Sequence, residues 1–181
     1  TAVDGLPLKW SATQNVVWKA PIPGKGHSTP SLVGSRIYLA TADEKTEVQS
    51  VLCIEKSTGK LVWKTPVHMG KFVQGGNKNS SHASSAVVCD GTQLYVSFPN
   101  DNKIHTTALS MEGKVLWQRA ISDYKIHQGY GTSPMVYKDV VVAKEFSESA
   151  EATIKPVNEV AEDDMILDVG PVTRQVFARV L

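Results

Sequence analysis

A chain of 181 residues, 41% of them apolar, with 19 Lys and Arg against 18 Asp and Glu, has room for one domain, or one and a piece. Its net charge of +1 gives no reason to expect nucleic acid, and no run approaches the roughly 18–20 apolar residues of a membrane-spanning helix. The charge is unevenly placed: residues 1–138 hold 15 Lys/Arg and 9 Asp/Glu (+6), residues 139–181 hold 4 and 9 (−5).

Thr1–Pro7 is polar and carries Gly and Pro, so any leader is expected to have been removed or never present. A first Trp phrase follows at Val17-Trp18-Lys19. Next comes Ser28-Thr29-Pro30-Ser31-Leu32-Val33, the turn Gly34-Ser35, and an apolar, aromatic run Arg36–Thr41. Val48–Ile54 reads as the next strand, then the turn Ser57-Thr58-Gly59-Lys60 and a strand that ends on Val62-Trp63-Lys64.

The same order then repeats. Ala83-Ser84-Ser85-Ala86-Val87-Val88 precedes the turn Asp90-Gly91 and the strands Gln93–Phe98 and Lys103–Leu109; Met111-Glu112-Gly113-Lys114 leads to Leu116-Trp117-Gln118. A third opening, Thr132-Ser133-Pro134-Met135-Val136-Tyr137, has no continuation of the same kind. The spacings are 45 and 54 residues between Trp copies and 55 and 49 between the other phrases. Four short strands per unit at this period indicate propeller blades. Cys53 and Cys89 lie in apolar strands without metal-ligand spacing, and are expected as two buried thiols rather than a disulfide.

The Ser/Thr-Pro opening, Ile37-Tyr38-Leu39-Ala40 and Gly59-Lys60-Leu61-Val62-Trp63 resemble the pyrroloquinoline-quinone-type (PQQ) propeller repeat. The lead-in Trp10–Lys19 resembles that of exported bacterial propellers of this kind. The resemblance implies a mainly β fold over residues 1–138: an incomplete β-propeller of two blades and part of a third, four-stranded and antiparallel, each Trp packing between neighbouring sheets. It also implies a periplasmic or extracellular location, and a protein partner or missing blades to cover the open ends. The acidic and basic residues that a quinone and its calcium need are not matched.

Aligned on these phrases, His27 and His82 share one position at the expected channel mouth, and Gly131 takes it in the third unit, with His127 four residues earlier. Two histidines there would suit a ligand or metal; the alternative is a repeat-inherited polar residue bonded to the adjacent loop. Gly75-Gly76-Asn77-Lys78-Asn79-Ser80-Ser81 lacks phosphate-loop spacing and reads as a flexible linker between blades.

From Asp139 the character changes. Val140-Val141-Val142-Ala143-Lys144-Glu145-Phe146, Ala161-Glu162-Asp163-Asp164 and Met165-Ile166-Leu167-Asp168-Val169-Gly170-Pro171 with Thr173 resemble the nucleotide-binding half of phosphoglycerate kinase. An apolar strand, a Gly-Pro turn and a helix capped by Thr173, with Val176, Phe177, Val180 and Leu181 on one face, predict a short α/β fragment over 139–181. The resemblance implies that Ile166, Leu167 and Gly170 line an adenine pocket, but the phosphoglycerate-site basic residues and the downstream glycine-rich loop are missing. Glu162-Asp163-Asp164 is read as a solvated acidic turn rather than a metal site. Lys138–Val142 would serve as either a propeller or a kinase strand, which suggests a fragment or an artificial join.

The leading functional expectation is a non-catalytic propeller scaffold for binding or assembly, with no catalytic residues. The alternative is a kinase fragment, cytoplasmic, moving phosphate between 1,3-bisphosphoglycerate and ADP with Mg-ADP/ATP. A third is a dehydrogenase using PQQ with calcium.

Overall fold

The computed structural model describes residues 8–9, 11–126, 128–137, 140–145, 164–168 and 174–179. Its described residues form twelve strands in three four-stranded antiparallel sheets. The first blade contains β1 (Ser31–Val33), β2 (Arg36–Asp43), β3 (Val48–Glu55) and β4 (Leu61–Met69), in that order across the sheet. The second repeats it with β5 (Val88–Cys89), β6 (Gln93–Asn100), β7 (Lys103–Ser110) and β8 (Val115–Asp123). The mainly β, partial-propeller expectation holds.

Short connections set the meander. Asp101 and Asn102 both take positive φ, 51° and 55°, which is the two-residue hairpin turn whose twist matches its flanking strands. The blades even share irregularities. Register shifts fall between Gln49 and Ser50 and between Cys53 and Ile54 on β3, and between Ile104 and His105 and between Ala108 and Leu109 on β7. Such bulges bend the outer half of each sheet at the same two places.

The main core lies between the first two blades. Tyr38, Ala40, Val51 and Cys53 of one sheet meet Leu94, Val96, Phe98 and Leu109 of the next. The opposite face of the second blade, Tyr95 and Ala108, packs with Val141 of the third sheet. Residues Leu94 to Asn100 are all buried as a result, since a sheet covered on both faces has no solvent side to alternate toward. Cys53 and Cys89 are both free thiols, pushed above the ordinary thiol range by burial.

Asp90 organises the β5–β6 turn. Its Oδ1 accepts from the N–H of Thr92 and Gln93, each at 2.7 Å, and its Oδ2 accepts from the Tyr95 hydroxyl at 2.7 Å. Burial pushes this carboxyl up, but those donors outweigh it and hold it below the usual range. The same burial and the adjoining carboxylate push the Tyr95 phenol up.

The third sheet differs from a repeat unit. β9 (Met135–Tyr137) and β10 (Val140–Glu145) form its inner hairpin, and β11 (Asp164–Asp168) and β12 (Arg174–Arg179) complete it in the order β9-β10-β12-β11. β9 and β10, on either side of residue 138, pair antiparallel in one sheet. The expected helix after Thr173 is corrected: Arg174–Arg179 is a strand, paired antiparallel with β10 from Val140↔Arg179 to Glu145↔Arg174 and with β11. Two open strand edges supply a ladder, whereas two turns of helix without a C-terminal cap stand close to the cost of nucleation. Thr173, Val180 and Leu181 lie outside the described residues.

Candidate partner-binding surface

Trp18 and Trp63 each act on the blade that follows. The Trp18 Nε1–H donates to the carbonyl of Lys56 at 2.8 Å, and a Cβ on Gly59 would sit 2.5 Å from the Trp18 ring. Trp63 repeats this on the second blade: its Nε1–H donates to the Met111 carbonyl at 3.2 Å, and a Cβ on Gly113 would sit 2.8 Å from its ring. Thr65 adds a hydroxyl donation to the Gly113 carbonyl at 2.6 Å. Trp63 also lies against Tyr38, and Trp117 against Tyr95, with ring centroids 5.9 and 6.0 Å apart and the same interplanar angle of 42°. The expected role of Trp between sheets is thus seen in detail. The expectation that Trp ends its strand is corrected: Trp63 and Trp117 are each the third residue of a nine-residue strand.

That placement leaves an outer rim. β4 and β8 are edge strands, and the two residues before each Trp are exposed: Leu61 at 50% and Val62 at 46%, Val115 at 39% and Leu116 at 44%. The residue at the Trp position turns inward to dock, and the pair before it is left beside a ladder edge that no described strand pairs with. Lys60, Lys64 and Lys114 are exposed around it, as expected where an edge must resist promiscuous pairing. An edge of this kind offers main-chain donors and acceptors together with apolar side chains, the components of strand addition.

The histidines expected at the channel mouth are placed differently from one another. Ser28 Oγ accepts from the N–H of Ala40, and Ser85 Oγ accepts from the N–H of Ser97. Ser31 faces Tyr38, and Val88 faces Tyr95. Both pairs set the repeat offset at 57 residues, so His82 matches Lys25 and His27 matches Ser84. The two histidines are therefore not equivalent. The His27 N–H donates to the carbonyl of Ala83, the residue after His82, at 3.0 Å. The His27 residue is exposed, whereas the His82 ring stacks on Phe72 at 4.2 Å and uses Nε2 on the Val73 carbonyl. His82 Nδ1 is buried without a partner among the described residues.

Gln49, wholly buried, ties this region together. Its amide donates to the carbonyls of His82 at 2.8 Å and Pro99 at 3.0 Å, joining the first blade to the lead-in and inner hairpin of the second. Gln49→Ala leaves both carbonyls without that donor, and is expected to lower stability by about 2 kcal/mol, read as a shift in urea midpoint at unchanged slope. Gly75–Ser81, expected as a flexible linker, is instead anchored: the Asn77 side-chain amide donates to Gln128 Oε1, and Gly76 lies so close to Ile126 that a Cβ would meet it at 2.7 Å.

Ile166 and Leu167 fall in β11, opposite Val176 and Gln175 of β12. Gly170 and His127 lie outside the described residues, as do Glu162 and Asp163. Among the described residues no group of three or more His, Cys, Asp and Glu gathers to hold a metal. No helix among them is long and apolar enough to cross a membrane.

Sequence reasoning missed two features: the apolar pairs beside each Trp, visible as repeated Leu-Val and Val-Leu, and a histidine pair between the blades. His68 and His105 have centroids 4.9 Å apart. Neither recurs, because Ser122 occupies the place of His68 and Ser50 that of His105; a repeat-based reading had no signal for them. A family model described as outer membrane protein assembly factor BamB matches residues 5–162, reaching past both complete blades into the third sheet's segment.

Proposed function

This chain belongs to the family of the outer membrane protein assembly factor BamB, and we propose that it is a non-catalytic propeller module of the periplasm that holds a partner protein during assembly. Membership gives a propeller repeat protein; the step to a scaffold rests on the rim. The observation that carries it is the repeated exposed apolar pair, Leu61-Val62 and Val115-Leu116, on the free edges of β4 and β8. Two such pairs at matching positions form a surface suited to an extended partner segment, which adds backbone hydrogen bonds at the edge and apolar contacts beside it.

A photo-crosslinking side chain placed at Leu61 or Leu116, in protein directed to the periplasm, tests this reading. Adducts with a component that assembles outer membrane proteins are the expected result, with none from the same probe at Lys45, exposed on the β2–β3 turn. Equal adducts at all three positions would overturn the rim as the binding surface. Calcium-dependent dye reduction with added quinone would overturn the non-catalytic reading.

A further inference from the structure

We propose that the seam between the first and second blades is an acid-sensitive joint, in which proton uptake by His68 and His105 loosens β4 from β7 and β8. His68, on β4, is 9% exposed and packs edge-on against Phe98 of β6, with centroids 6.1 Å apart. His105, on β7, lies against the His68 ring, with centroids 4.9 Å apart, and directs Nε2 to the Asn100 carbonyl at 3.2 Å. Gln118 of β8 brings its side-chain nitrogen to 3.4 Å from His68 Nε2 and donates to Thr107 Oγ1 at 2.9 Å. An amide nitrogen has only hydrogens to offer, so in this arrangement His68 Nε2 accepts and the neutral ring carries its proton on Nδ1. A second proton would set N–H against N–H and place a cation beside another imidazole.

Little charge is at hand to offset that cation. Phe98 from β6 and Gln118 from β8 are neutral, and among the described residues the titratable group acting on His68 is His105. Asp101 and Lys103 act on His105 with opposite sign; Asp101 is engaged by Lys71 at 2.8 Å and Lys103 by Asp123 at 3.5 Å. Burial first, and then His105, hold His68 down to about 4 from 6.5. Burial likewise holds His105 below its ordinary value.

The sign follows from linkage. Unfolded rings take up a proton near 6.5 while folded ones resist, so acid favours the unfolded or opened state. Stability is complete above pH 6.5 and falls as pH drops toward 4. For His68 alone, the opening equilibrium constant should rise by on the order of fifty-fold between pH 7 and 4.5. The parts that separate are β4, the edge strand of one blade, and β7 and β8 of the next, so the joint opens between blades rather than within one.

Two measurements on the full chain test the joint. Ring titrations by NMR should place His68 well below the 6.5 of an ordinary imidazole; a His68 titration near 6.5 in the folded protein would overturn the proposal. Urea midpoints between pH 7 and 4.5 should fall steeply for the wild type and for His27→Gln, and much less for His68→Gln. An undiminished acid slope in His68→Gln would also overturn it. Amide exchange at pH 5 should rise along Leu61–Met69 before it rises in the β2–β3 pairing; simultaneous loss of both would mean global unfolding and no joint.

Discussion

Trp63→Ala is expected to lower the free energy of unfolding by about 3 kcal/mol, toward the lower end of the range for truncating a packed Trp because the residue is half-buried. Three contributions are lost together. The ring leaves its place over Gly113, the Tyr38 contact disappears, and the Met111 carbonyl loses its indole donor. Trp63→Phe separates them: it keeps an aromatic ring in the seam and removes the donor, and should cost about 1 kcal/mol. Urea unfolding followed by far-ultraviolet dichroism reads both. A change of a few tenths of a kcal/mol in Trp63→Ala would remove this indole from the coupling between blades.

The two complete blades were legible because two independent signals agreed along the chain. Strands rich in Val, Ile, Tyr and Thr were separated by turns whose Gly or Asp-Asn chemistry admits positive φ, and the whole order recurred. Strands expected at Val48–Ile54 and Lys103–Leu109 occur at Val48–Glu55 and Lys103–Ser110. Offsets were harder. Phrase matching aligned His27 with His82, while the ladder aligns Ser28 with Ser85; the offset is 57 residues on both sides of the β1–β2 and β5–β6 turns, so the phrase alignment was slipped by two residues along the whole segment. A two-residue slip is invisible to side-chain alternation, since it returns every residue to the same face.

The third sheet shows where local pattern stops being decisive. Arg174-Gln175-Val176-Phe177-Ala178-Arg179 suits an amphipathic helix when read with Val180 and Leu181, and suits a strand when read alone. What separates the two is non-local: β10 and β11 flank it and pair along its length. The rim was written in the sequence as Leu61-Val62 and Val115-Leu116 but carried no mark of exposure. That quality comes from β4 and β8 being the last strand of each sheet. The histidine seam was less accessible still, because His68 and His105 are 37 positions apart and meet through the packing of two sheets.

Gly113→Ala is expected to cost as much as losing the indole it supports, about 2–4 kcal/mol. The residue has φ +88°, a left-handed conformation that is steric work for any residue with a Cβ, on the order of 1–2 kcal/mol. The added methyl would also stand 2.7 Å from Thr65 Oγ1 and 2.8 Å from the Trp63 ring, so the seam must spread, and overpacking of this kind adds about 1–3 kcal/mol. The two parts can be told apart by a double-mutant cycle. In a Trp63→Ala background the ring is gone and only the backbone strain and the Thr65 contact remain, so Gly113→Ala should then cost about 1–2 kcal/mol less than in the wild type. Strict additivity would mean that the glycine serves its own turn alone. The predicted coupling would make the glycine and the tryptophan 50 residues before it one device, in which a turn without a side chain on one blade exists to receive the ring of another. Gly59 and Trp18 repeat that geometry on the first blade, so Gly59→Ala should lose stability in the same way but by less, since Trp18 belongs to no sheet of the described residues.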